Sequence, residues 1–562
     1  MDRRTLLAIG LMLIVAVLPT LLNPPQRPDP AAASDSLTTD LDSAVAALDS
    51  VTGPAAQPET VFVERPAPPQ PGEDAEARRA LPASNDGDPI VVESPLYRFT
   101  FSTRGARLRG VELREYRTFA PGDTGRAHLL PDDARFLEYA LVVGNDTLGL
   151  ADWSFEPSSP AVVVDTVGTP LTLTARRGAI EVTLTYTFDP DHYLFDVRGR
   201  VSGIGGSAVA VIGIGPRMRQ VEADSVDNFR SYAVVTKANK TERLNFRSLD
   251  PGEVRALQGP FEWVAIKSKY FVTAVMTLEE GRSRLGGALA VGGPKPGRHS
   301  TNVDAVMSLP APAGEFAFSV YAGPQEYKRL ARIGHEFQDV NPYGWVFRPI
   351  IRPFANIIVV ILIWMHENLK LEYGWVLILF GLAVRVVLWP LNQKAMKSSV
   401  AMQAIQPELK AVQERYKQDP QRMQQEVMKL YKVHGVNPLG GCWPMLIPMP
   451  VLFALFFVFR ETIEFRGVSF LWLPDLSRPD PFYIIPIVMG LSMFGVSKIG
   501  QLGVPPNPQA KMMTYVMPAF LTFIFLRLSS GLNLYYAVSN IASIPQQWLI
   551  AKQRIKRLGK RE

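Results

Sequence analysis

One arginine, Arg385, stands alone in the apolar run 374–390, GWVLILFGLAVRVVLWP. With its flanks the run approaches the ~20 apolar residues that a bilayer core requires, which predicts a membrane-crossing helix. A guanidinium keeps its charge at every accessible pH. Placing it mid-helix costs about 3 kcal/mol on insertion scales, so such residues face a water-filled cavity or a polar partner inside a bundle. The alternative is that Arg385 snorkels to the nearer interface, close to Pro390.

A chain of 562 residues exceeds one ordinary domain. Its averages look soluble, at 47% hydrophobic, 20% charged and mean hydropathy +0.06. The apolar residues, however, concentrate at the extreme N-terminus and after residue 350. The tail 551–562 (AKQRIKRLGKRE) carries six Lys/Arg against one Glu, and directly after an apolar helix it reads as a cytoplasmic end facing anionic lipid. A single cysteine, Cys442, excludes an internal disulfide and any Cys-based zinc cluster.

Residues 1–22 join a charged start to the hydrophobic stretch 6–19, so they are a signal peptide or an anchor, and Ala31-Ala32-Ala33 offers a cleavage site. Residues 23–89 are rich in Pro, Ala, Asp and Ser and are predicted to be a disordered tether. From about Ile90 the pattern alternates with period two, as in 97–102, 182–188 and 193–198, with Asp189-Pro190-Asp191 as a turn. That predicts an antiparallel β-sandwich over 90–340, closed by a helix over 325–337. The segment 345–370 is expected to hold an interfacial helix, because its apolar part 354–365 is too short to span.

Spans are predicted near 373–391, 442–460, 482–498, 512–528 and 532–550, and with the N-terminal segment they make six crossings. The loop 392–436 carries eight Lys/Arg against four acids, whereas the loop 462–481 carries two against three. Positive-inside counting therefore puts the first loop, both termini and the basic tail in the cytosol, and the β-domain in the periplasm. The fold class is thus a polytopic α-helical membrane protein with a large periplasmic antiparallel β-sandwich.

No phosphate-binding loop, H-E-x-x-H or G-x-S-x-G motif is present, and the six histidines show no ligand spacing. The chain is expected to be no enzyme and to need neither cofactor nor metal. In the loop, Met402, Ile405, Leu409, Val412 and Tyr416 step by three and four, an a/d seam. Asp419-Pro420 provides an N-cap with proline at the first helical position, and Met423, Val427 and Leu430 continue a second seam. A cytosolic helical hairpin over 394–435 follows, as a spacer or as a docking platform. Prolines 444, 448 and 450 would interrupt successive hydrogen bonds of a spanning helix, which is tolerable only where neighbours or water re-satisfy the carbonyls.

The stretches NPLGGCWPMLIPMP, LAVR with its following proline, WLPDLSRPDPFYIIPIVMG and SGLNLYYAVSN resemble the YidC-type membrane protein insertases, strongly over 345–550. The resemblance extends more weakly to the β-domain through WVAIKSKYFVTAVM and Tyr321-Ala-Gly-Pro. It implies a five-helix core over 371–550 with a groove open to cytosol and lipid, a retained N-terminal anchor and a basic tail at 551–562. By this resemblance Arg385 matches the groove arginine. Met449, Leu452, Leu455, Tyr535 and Tyr536 match positions lining the path of the incoming chain. Gly381 stands where the family often has a hydroxyl residue.

The function implied is insertion and folding of newly made membrane proteins, alone or with the Sec translocon. The implied partners are nascent membrane proteins, the lipid bilayer and a ribosome at the hairpin and basic tail, with no other nucleic-acid binding. A secondary transporter binding an anionic solute at Arg385 is the alternative. Such transporters usually show an internal repeat, and none is visible here.

Overall fold

The alternating segments form strands with the expected faces. In Tyr97–Ser102, Tyr97, Phe99 and Phe101 are fully buried while Arg98 is exposed, and Ile180–Phe188 buries Val182, Leu184, Tyr186 and Phe188. The Asp189 side chain accepts from the Asp191 N–H at 2.9 Å and closes the turn to Leu194–Ser202. The structure is a computed structural model and describes residues 87–278, 285–294, 302–341, 343, 348–435, 449–503 and 511–558.

Among these residues the strands form three sheets, of five, nine and six strands, rather than a two-sheet sandwich. One pair, Pro89–Glu93 with Ala161–Val163, is parallel. The central strands of the nine-stranded sheet explain the extra layer. Trp263–Lys267 and Phe271–Met276 are buried at every position, so both of their faces need cover. Phe99 and Phe101 of the five-stranded sheet pack on Phe188 and Phe195 of the nine-stranded one. Tyr139 of the six-stranded sheet meets Phe316 and shares a hydroxyl contact with Tyr186. This aromatic seam is the centre of the β-domain core.

Two short helices belong to this domain: α1 (Ser225–Ser231), capped by Asp224, and α2 (Tyr327–Ile333). The helix expected over 325–337 is therefore cut short. Gly334 adopts φ +88°, which a glycine reaches without Cβ strain, and His335 and Glu336 follow with positive φ before a 3₁₀ turn at Phe337–Val340.

The helical part starts with α3 (Arg348–Leu369) and α4 (Tyr373–Ala404). The first of these corrects the short helix expected at 354–365. It runs for 22 residues because Pro353, near its N-terminal end, removes one hydrogen bond without stopping the helix. By length and hydropathy, Pro349–Leu369 and Tyr373–Pro390 are each sufficient to cross a membrane. Then come α5 (Gln406–Arg415), α6 (Pro420–Val433), α7 (Met449–Glu461), α8 (Ile484–Gly500), α9 (Met517–Phe525) and α10 (Ser530–Leu558). Helices α8 and α9 are apolar but shorter than a full span. The N-terminal segment and prolines 444 and 448 lie outside the described residues.

Helix α10 packs along α8 and α4, and α7 packs along α3. Gly490 allows α8 to approach α9, since a Cβ there would lie 2.0 Å from Thr522 Oγ1. The tight connection expected between the last two spans is real: Asn533 Nδ2 donates to the carbonyl of Phe525 (3.0 Å), which also accepts the Leu528 N–H, and to that of Leu528 (3.4 Å) at the end of α9.

Candidate functional site

Gly381 and Arg385 are four residues apart and so share one face of α4. That face looks at α10. A Cβ on buried Gly381 would sit 3.4 Å from Val538 Cγ1 and 3.5 Å from Tyr535 Cδ2, ordinary contact distances, so a small side chain fits there. One turn further, Arg385 Nε donates to the Ser539 carbonyl oxygen at 2.9 Å and to its hydroxyl at 3.0 Å. The two terminal guanidinium nitrogens have no hydrogen-bond partner among the described residues. Arg385 is half-buried, while Leu382, Val386 and Val387 beside it are exposed, the last two at 71% and 73%. A cation with free donors thus sits in an apolar surface, held by one edge.

Tyr535 is buried against Phe380, and Tyr536 packs edge-on to Phe525 with a buried hydroxyl that has no hydrogen-bond partner among the described residues. Leu455 is fully buried in the same cluster as Tyr535, and Leu452 on α7 is half-buried. Met449 opens α7, but its side chain lies outside what is described, as does that of Met402. The structure therefore gathers Gly381, Arg385 and Tyr535 where α4 meets α10, with Tyr536 turned to Phe525 of α9 and Leu455 of α7 in the same apolar cluster.

Ser539 escaped the sequence reading. Its signal was a polar stripe, Ser539, Ser543 and Gln546, at helical spacing on an otherwise apolar helix. All three are buried, and Gln546 Nε2 donates to the Trp389 carbonyl at 3.2 Å, a second tie from α10 to α4.

At the helical hairpin, Asp419 caps α6 by accepting from Arg422 N–H at 3.1 Å, as expected. The continuous seam from Met402 to Tyr416 is corrected. Met402 belongs to α4, the helix breaks at Ile405, and Tyr416 is the C-cap of α5. Pro407 marks the break, because it lacks the N–H that would bond back into α4 and sits instead in the first turn of α5, where none is needed. Helices α5 and α6 do pack together, with Leu409 and Met423 half-buried and His434 Nε2 2.8 Å from Glu408 Oε2.

A second charged region joins the helices to the β-domain. Lys267, fully buried on its strand, donates to Asn341 Oδ1 at 2.8 Å and faces Glu461 Oε2 at the end of α7 at 3.6 Å. Burial pushes its ammonium down to about 7, with Glu461 opposing the shift. Arg466 Nε binds Glu222 at 2.9 Å, and Arg460 reaches Asp227 at 3.1 Å, where Lys269 also binds at 2.9 Å. Ile463 completes the joint by entering the β-domain core.

Two family models match the chain: "YidC periplasmic domain" over residues 89–357 and "60Kd inner membrane protein" over 364–557. The Membrane protein insertase YidC of Chloroherpeton thalassium is 30% identical over 496 residues, covering 82% of both chains. The chain belongs to the YidC family. A YidC relative from Cupriavidus metallidurans is 34% identical over 67% of each chain. The crystal structure of YidC from Thermotoga maritima has 16% identity and a TM-score of 0.28, over 82% of this chain and 99% of that one. As the family descriptions state, the YidC architecture combines an inner-membrane part with a periplasmic domain, here β-rich, followed by a helical C-terminal region.

Proposed function

We propose that this YidC family member inserts newly made hydrophobic segments into the inner membrane, and that the surface around Arg385 is where a client first engages. The observation that carries this reading is the half-tethered guanidinium: Nε is held by Ser539 while the remaining donors adjoin exposed Leu382, Val386 and Val387. A wet notch around those donors would attract acidic residues of the translocated part. The neighbouring apolar segment would slide along the exposed aliphatic side chains into lipid, driven by ~20–30 cal/mol per Å2 of apolar surface. No covalent step is required. Met449, Leu452, Leu455, Tyr535 and Tyr536 form the greasy side of the route, and loosening of the cluster that buries Leu455 and Tyr535 accompanies client entry.

The topology that serves this function has six crossings, with both termini in the cytosol and α3 lying in the interface. The domains are an anchor at 1–22, a tether at 23–89, a periplasmic domain at 90–340, α3 within 345–370, an insertase core at 371–550 with its hairpin at 394–435, and a basic tail. The Sec translocon is a partner for large clients, and the ribosome docks at the hairpin and tail. A photocrosslinker at Val386 should capture a stalled nascent single-span protein. Capture at exposed Val163 of the β-domain but not at Val386 would refute the route.

A further inference from the structure

A cavity of about 360 Å3 lies where the β-domain meets the helices, bounded by the strand bearing Tyr116, the start of α2, the end of α3, the first turn of α4 and the turn after α7. Its charged wall residues are paired with one exception. Lys328 binds Glu367, Glu326 binds Arg329 at 2.7 Å and accepts from the Tyr116 hydroxyl, and Arg466 binds Glu222. Glu464 has no ion-pair partner among the described residues. One of its oxygens accepts the Tyr327 N–H at 3.0 Å, and the other, Oε2, is buried without a hydrogen bond. A buried unpaired carboxylate is costly, and burial pushes this carboxyl up to about 7, with Glu326 adding to the shift and Lys328 opposing it.

An organic ammonium is the group that satisfies this arrangement. It neutralises Glu464, and Tyr116 and Tyr373 supply aromatic carbon to the same wall. Lys328 supplies the complementary charge. Its pair with Glu367 is half-exposed on both sides, so exchanging the carboxylate for a phosphate is inexpensive. The cavity also lies at the level where apolar chain ends, between the last turn of α3 and the first turn of α4, on the side of the β-domain. Headgroups occupy that level.

We propose that this cavity binds the phosphoethanolamine zwitterion of an outer-leaflet lipid headgroup, with the ammonium on Glu464 and the phosphate on Lys328. The inference rests on α3 and α4 lying in the membrane and is independent of where clients pass, so insertion is not its readout. Delipidated full-length protein in detergent would be mixed with dioleoyl phosphatidylethanolamine or dioleoyl phosphatidylglycerol, and retained lipid counted by native mass spectrometry.

One phosphatidylethanolamine should be retained about fivefold better than phosphatidylglycerol at roughly pH 8, with the preference fading near pH 6 as Glu464 protonates. Glu464→Gln should abolish the preference, Glu464→Asp should restore part of it, and Lys328→Gln should weaken retention while leaving the thermal midpoint unchanged. Equal retention of the two lipids, or an undiminished preference in correctly folded Glu464→Gln, would overturn the site. Should Glu464→Gln fail to fold, the Lys328→Gln and pH measurements decide alone. Displacement of the lipid by soluble glycerophosphoethanolamine at equal concentration would assign the site to a free solute and overturn the lipid as its source.

Discussion

Arg385 on α4 and Ser539 on α10 are joined twice, with Nε 2.9 Å from the carbonyl oxygen and 3.0 Å from the hydroxyl of the serine. The contact orients the guanidinium without consuming it. Positioning and attraction are therefore separable by mutation.

Arg385→Ala is expected to lower insertion of a client with an acidic translocated segment about tenfold, equivalent to ~1.4 kcal/mol, with a smaller loss for a neutral one. Arg385→Lys should fall between, because an ammonium supplies charge but not the planar fork. Protease protection in reconstituted vesicles reads both. Equal insertion of acidic clients by wild type and Arg385→Ala would remove the arginine from the mechanism.

Ser539→Ala deletes one of the two acceptors and keeps the backbone one. A loss of about 1 kcal/mol in thermal stability is expected, with a milder insertion defect than Arg385→Ala. A defect as deep as that of Arg385→Ala would mean that the serine hydroxyl itself touches the client.

Stability should depend on pH through the joint, with opposite signs for two groups. The Glu464 carboxyl, raised from 4.5 to about 7, binds a proton more readily in the folded state, so its contribution is full below 4.5 and is lost as pH rises through 7. The Lys267 ammonium, lowered from 10.5 to about 7, holds its proton less readily when folded, so its contribution is full above 10.5 and is lost as pH falls through 7. Each slope is up to ~1.4 kcal/mol per pH unit within its window. Thermal unfolding in detergent should show a minimum near neutrality. Glu464→Gln should flatten the acid limb and Lys267→Met the alkaline one, whereas unchanged limbs in both variants would contradict the assignment.

Leu409→Asp should separate α5 from α6, since a carboxylate in that half-buried seam costs about 1–3 kcal/mol. Increased trypsin cleavage after Arg415 and Lys417 would report the opening, and insertion should weaken if the hairpin docks the ribosome or client. Normal insertion with an open hairpin would make the element a spacer.

Much of this architecture is readable from neighbouring residues. Alternation at 97–102 and 182–188 specifies strands and their buried faces, because a strand's side chains repeat every two positions. Asp419-Pro420 specifies a helix start, since cap and proline act on backbone groups within one turn. Pro407 marks the break after Ala404 for the same local reason, although the three-four spacing of Met402, Leu409 and Tyr416 disguises it. The isolated charge of Arg385 in an apolar run marks a position to inspect without any coordinates.

The sequence by itself thus determined the strands, the apolar helices, the caps and the isolation of Arg385 in an apolar run, because each depends on short-range sterics, hydrogen bonding or hydropathy. Tertiary structure alone decided the partners. It chose Ser539 for Arg385, set Glu461 against Lys267, covered Trp263–Lys267 on both faces and left Glu464 Oε2 buried with no hydrogen bond among the described residues. Those pairings join residues far apart in the chain, and their energies depend on distance and burial in space, neither of which a local pattern of residue types encodes.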